Sequence, residues 1–181
     1  MAGKCASPSP PVPQSHILRM YYLNVTIHVL AALIWLGGML FLAVVGAPVL
    51  RKVEAPALRA ELFRALGAQF RLVGWIAIAI LLVTGVLNLH FRGFLNATTL
   101  GSSAFWATRY GHALAGKLVC VSAMLAVQAI HDFRHGPRAS RLQPGSAEAQ
   151  SMRRWAAWLA RINTIVGVIL VYFAVRLARG G

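Results

Sequence analysis

The chain has 181 residues, six of them histidine. His28, His90 and His112 each stand within or at the end of a long uncharged run. Imidazole is a common ligand of transition metals and of haem iron. Rings that converge from separate helices are how metal centres are built inside helical bundles. His28 shares a helical face with Asn24, Trp35 and Met39, four positions before it and seven and eleven after it. Trp35 and Met39 are therefore candidate lining residues of one site. Lys117 interrupts another apolar run, where an ammonium costs about 2.5–3.5 kcal/mol on insertion scales. Such a group turns into the bundle or a wet cavity, or snorkels to the surface. It lies on one helical face with Met124, Gln128 and His131. This stripe makes Lys117 a candidate partner for an anionic group such as a haem propionate. Arg161, close to Asn163 and Thr164, and Asp132 form a candidate structural ion pair.

These side chains need elements to hold them, and charges mark where those elements lie. Arg19 and Arg51 enclose one uncharged stretch, and Arg71 and Arg92 a second. Arg109 and Asp132 enclose a third, broken only by Lys117, and Arg154 and Arg176 a fourth, broken only by Arg161. A bilayer core needs about 20 helical residues, which all four stretches supply. The expectation is an all-α integral membrane four-helix bundle of antiparallel up-down topology, with helices at about 23–49, 72–91, 110–131 and 155–177. The apolar residues run continuously instead of alternating, which excludes a β-barrel. Residues 1–19 read as a Pro/Ser-rich tail and 20–180 as one domain. The loop at 51–70 reads as holding a short amphipathic helix, since Val53, Leu58, Leu62 and Leu66 recur near helical spacing.

Composition narrows the function classes. The chain is 58% hydrophobic and 12% charged, with a mean hydropathy of +0.64. Soluble domains carry roughly 25% charged residues, so a soluble enzyme and a disordered chain are both excluded. The net charge of +14 flanks apolar runs and forms no stripe on a polar fold, so nucleic acid is not the expected partner. The two cysteines, Cys5 and Cys120, make no disulfide framework. There is no CxxC, GxGxxG, P-loop or GxSxG.

The side holding the 51–71 and 132–154 loops carries ten Lys and Arg, and the side holding the termini and the middle loop carries six. The richer side is expected in the cytoplasm, with both termini outside. His28, His90 and His112 then lie at similar depth near the outer surface, as a candidate metal cluster on three helices.

The stretches HVLAALIWLGGMLFLAVVGAPVLR, GKLVCVSAMLAVQAIHDFRHGPRA and LARINTIVGVILVYFAVRLARG resemble the copper-resistance D (CopD) family of membrane proteins. The resemblance implies copper as the metal, bound at the outer face for transfer or uptake. It also implies a bacterial-type inner membrane and a periplasmic copper-binding protein as a partner. A more distant resemblance is to HemJ-type protoporphyrinogen oxidases, which bind haem b and use a helix 1 histidine and a helix 3 lysine. His28 and Lys117 match those two positions. That pattern continues with a Pro-Arg element and a Tyr-His pair, where this chain reads FLAVVGAPVLRK. Copper is thus the first reading and a haem b redox protein the alternative. A non-catalytic membrane subunit, with or without self-association into a homo-oligomer, is the third.

Overall fold

In lipid, a chain this apolar has to satisfy every backbone N–H and C=O internally, and helices do this within one segment. The computed structural model describes residues 14–135 and 146–180. Its elements are α1 (Gln14–Phe41), a π-helical turn (Leu42–Gly46), α2 (Ala47–Arg51), α3 (Pro56–Phe91), α4 (Ala97–Leu100), α5 (Ser103–Trp106), α6 (Arg109–Ala129), a second π-helical turn (Ile130–His135) and α7 (Ala147–Ala178). There is no strand among the described residues. Four stretches are long and apolar enough to cross a membrane: Ser15–Arg51, Pro56–Phe91, Arg109–Phe133 and Gln150–Ala178. The protein is a multi-pass membrane protein. Residues 1–13, most of the expected tail, and 136–145 lie outside the described residues.

Local chemistry sets the breaks. Pro48 lacks an N–H and its ring clashes with a carbonyl one turn back. The π-helical turn just before it, closed by the Ala47 N–H on the Leu42 carbonyl, widens the helix there. Pro56 opens α3 at its first turn. Gly93, at φ +72°, ends α3. Its N–H bonds the His90 carbonyl at 2.9 Å and the Phe94 N–H bonds the Leu89 carbonyl at 3.0 Å, a Schellman pair that needs glycine's left-handed backbone. The Thr108 hydroxyl caps α6 by accepting from the Gly111 N–H at 3.0 Å.

Two expectations change. The amphipathic segment after residue 51 is no separate helix: from Pro56 it runs unbroken into the second span as α3. Nothing between Leu58 and Phe91 breaks it: no proline follows Pro56 there, and Gly67, Gly74 and Gly85 each cost only about 1 kcal/mol inside a helix. Val53 lies in the turn ahead of it. The helix expected from about residue 23 begins at Gln14.

Two helix pairs make the bundle, α1 with α3 and α6 with α7, and α1 also touches α7. Along α1 and α3 the partners run in opposite order: Asn24 meets Asn88, Trp35 meets Gly74 and Gly46 meets Leu66. The core is Trp35, Ala77, Ile78 and Met124, with Leu36, Met39, Trp75, Leu81, Leu125, Val166 and Leu170 against it. Outward-facing residues are apolar too: Leu33 is 63% exposed and Val119 69%. A surface of that kind suits acyl chains and would drive association in water. Gly116 lets α7 approach, since a Cβ there would meet the Phe173 ring. Gly116→Val is expected to cost about 1–3 kcal/mol by overpacking, read as a lower unfolding midpoint in detergent.

Candidate functional site

An apolar bundle buries polar side chains only where they find partners. Among the described residues, four polar or charged side chains are buried: Asn24, Thr84, Asp132 and Asn163. They lie along the bundle and mark three places where chemistry is concentrated.

The first is at the His28 end. Asn24 and His28 are one turn apart on the α1 face that meets α3. Asn24 Nδ2 donates to the Thr84 carbonyl and to Asn88 Oδ1, both at 3.0 Å. The His28 ring lies 2.7 Å from Thr84 Oγ1 through Nδ1. Thr84 has one hydroxyl proton, and it goes to the Ile80 carbonyl at 2.6 Å. Thr84 therefore accepts, and His28 must carry its proton on Nδ1. This leaves the Nε2 lone pair free. A ligating histidine usually donates its other ring N–H in this way, which fixes tautomer and orientation.

Lys117, half-buried on α6, lies within electrostatic range of both His28 and Arg92. It makes no hydrogen bond or ion pair among the described residues. Arg92 ties the rim together, donating to the Tyr21 hydroxyl at 3.1 Å and to the Leu177 carbonyl at 3.4 Å. Its guanidinium sits 5.9 Å from the centre of the Tyr110 ring.

His90 and His112 do not join His28 in the interior. Both are exposed. The buried face of α3 runs through Gly74, Ala77, Ile78 and Thr84, and His90 falls off it by helical phase. On α6 the inward positions are Gly111, Ala113 and Leu114, which turns His112 outward. Its Nδ1 bonds the Thr108 carbonyl at 2.9 Å. A carbonyl only accepts, so here too Nε2 is free. Among the described residues no three His, Cys, Asp or Glu stand together as a metal group. The sequence predicts a similar depth for all three; His28 stands level with Thr84, six residues short of His90 on α3, and a shared interior needs helical phase as well.

The second place is mid-bundle. Met39 Sδ accepts from Asn163 Nδ2 at 3.3 Å. Asn163 Oδ1 and Trp35 Nε1 are buried with no partner, at a cost of about 1–3 kcal/mol each. Trp35 and Met39 thus line the interior, at this level and not around His28.

The third is the Asp132 end. Oδ2 accepts from Trp75 Nε1 at 2.9 Å and from Gln128 Nε2 at 2.8 Å, and Oδ1 accepts from His131 Nδ1 at 3.0 Å. The expected Arg161–Asp132 pair does not form. Arg161 is exposed and lies over the Trp158 ring, 6.0 Å from its centre. Asn163 faces inward on α7, and Arg161, two positions away, points elsewhere. Asp132 instead fills its acceptor sites with neutral donors and a histidine. Its carboxylate keeps His131 protonated on Nδ1, leaving a third free Nε2.

The sequence model of the family described as copper resistance protein D (CopD) matches residues 64–177. The chain belongs to the copper resistance protein D family. It is also 32% identical over 167 residues to an uncharacterized protein of Aquifex aeolicus (strain VF5), covering 91% of this chain and 99% of that relative. No solved structure matches it. This CopD-family chain is therefore a copper-resistance membrane protein. Within it the CopD match takes in His90, His112, Lys117, Asp132 and Arg161, and begins after His28, Trp35 and Met39.

Sequence reasoning did not single out Thr84, Asn88 and Trp75. Thr84 and Asn88 stand four apart inside an otherwise apolar run, a spacing that puts two polar groups on one face. That was the available signal. Trp75 gave none, because a tryptophan in a span is ordinary until its N–H is seen to have a partner.

Proposed function

We propose that this CopD-family protein passes copper through a four-helix antiparallel bundle, taking it up at the His28 end. The observation that carries this reading is the line of buried polar groups through an apolar interior: Asn24 and Thr84, then Asn163 with Met39, then Asp132. Such groups hold the helices together through their hydrogen bonds, and polar groups inside a membrane also mark ion pathways. In this reading the His28 end faces outward with both termini, as the excess of Lys and Arg in the other loops supports. The membrane is a bacterial inner membrane. His112 and His90, exposed at the rim, receive copper from a periplasmic copper-binding protein.

His28 Nε2 is the first interior ligand, held in place by Thr84. Lys117 keeps that site from becoming a trap, because its positive charge weakens the hold on a cation. Passage requires binding strong enough for copper to arrive and weak enough for it to leave. Lys117→Leu, which removes the charge without adding a thioether, is therefore expected to bind copper about tenfold more tightly at His28, an effect of about 1.4 kcal/mol. Equilibrium dialysis of the purified protein in nanodiscs, followed by metal analysis, measures both proteins. Copper retained by the wild type supports the reading, and a wild type that retains none contradicts it.

One observation favours a second reading, a haem b redox protein resembling the HemJ type. Lys117 has no acidic partner among the described residues and lies within range of His28, as a propionate partner should. An absorption spectrum of protein made with haem precursor supplied separates the two: a Soret band supports haem, and copper without a Soret band supports passage.

A further inference from the structure

We propose a monovalent copper site halfway through the bundle, formed by Met39 of α1, Met124 of α6 and Asn163 of α7. It rests on the reading that copper passes through this protein. Met39 and Asn163 are in direct contact, and Met124 belongs to the core cluster against which Met39 packs. Met39 Sδ lies 3.3 Å from Asn163 Nδ2. Asn163 is 3% exposed, and its Oδ1 has no partner. This unpaired acceptor belongs to the same amide whose Nδ2 bonds the Met39 sulfur. Met124 is wholly buried. Its methyl reaches α7 at Gly167, where a Cβ would lie 3.3 Å from it. Gly167 is one turn from Asn163 on the same face. Met124 also packs in the core cluster with Trp35, which is one turn from Met39 on α1.

The chemistry of this set is specific. Thioether sulfur is a soft ligand that selects the monovalent copper ion over harder cations. Neither the thioethers nor the amide carries charge, so a bound ion is held without an opposing carboxylate and can leave. A leucine pair would fill the same volume with no polar atom, and the asparagine would then be unnecessary. The position also fits a relay. Met39 is eleven residues along α1 from His28, roughly 16 Å by helical rise. Asp132 is eight residues on from Met124, past the end of α6 in the second π-helical turn, roughly 12 Å by a similar rise. Copper would meet an imidazole, then thioethers, then a carboxylate.

Copper K-edge X-ray absorption tests this on the full-length protein in nanodiscs. Cu(I) is supplied as its acetonitrile complex under argon, so no reduction step is needed. The wild type is expected to show a sulfur shell. The Met39→Leu/Met124→Leu protein should lose that shell, and His28→Ala should keep it. A wild-type spectrum with only nitrogen and oxygen neighbours overturns the thioether site while leaving the His28 reading standing. A sulfur shell that survives in the double leucine variant also overturns it, by assigning the sulfur to another residue, Cys5, Cys120 or one of the remaining methionines. No copper bound in the wild type overturns both. Where the double variant does not fold, Met39→Leu alone is expected to lose one sulfur neighbour from the shell, and an unchanged shell overturns the site. Leucine for methionine conserves volume, and circular dichroism checks the fold.

Discussion

His28→Ala is expected to weaken copper binding at the outer end by about a hundredfold, or roughly 2.7 kcal/mol, with little effect on the fold. The asymmetry comes from the hydrogen bonding. Thr84 keeps its own donor bond to the Ile80 carbonyl without the ring, so the bundle loses one side-chain hydrogen bond, about 1 kcal/mol. The metal loses the only interior imidazole at that end among the described residues. Thr84→Val removes the acceptor that fixes the Nδ1 proton while leaving the ring in place. Orienting partners of this kind are worth about 10- to 100-fold in metal affinity. Copper titration of the three proteins should therefore rank wild type above Thr84→Val, and Thr84→Val above or level with His28→Ala. Equal affinity in all three would remove His28 from the pathway.

The largest stability effect is expected at Asp132. Asp132→Ala strands the Trp75 indole N–H and the Gln128 amide, both of which donate to Oδ2. A donor left without an acceptor costs about 1–3 kcal/mol when buried; with both donors half-buried, the bundle should lose about 3 kcal/mol in all. Asp132→Asn keeps one acceptor oxygen and should lose less, about 1 kcal/mol. Arg161→Ala is the control. Because Arg161 lies exposed over Trp158 and not against Asp132, its loss should stay within about 0.5 kcal/mol, as surface substitutions do. Unfolding midpoints of the three variants in one detergent check the order. An Arg161 variant as damaged as Asp132→Ala would contradict the hydrogen-bond network described here.

The spans were legible because charges are costly in lipid and so fence the apolar runs. The inward phase of His28 was legible for a related reason: Asn24, Trp35 and Met39 repeat on its face, and Asn24 and Trp35 are buried. His90 and His112 show where such reasoning stops. Counting residues puts both toward the ends of their spans, but the face each presents depends on which small residues α3 and α6 turn inward, which only packing decides. The Asp132–Arg161 pairing failed on the same ground. Opposite charges at one depth attract on paper, yet Trp75, Gln128 and His131 were nearer and already aimed. The orphaned Asn163 Oδ1 could not be read from sequence at all, since an unsatisfied atom is visible only when every neighbour is placed.

The central claim is that copper crosses through this bundle. Proteoliposomes holding a Cu(I)-specific colorimetric chelator inside, with Cu(I) supplied outside, test it most directly. Wild-type vesicles are predicted to develop colour well above protein-free vesicles, with the rate cut at least about tenfold in His28→Ala, in line with a ligand loss of 1.4 kcal/mol or more. Wild-type vesicles that stay at the protein-free rate would contradict the account.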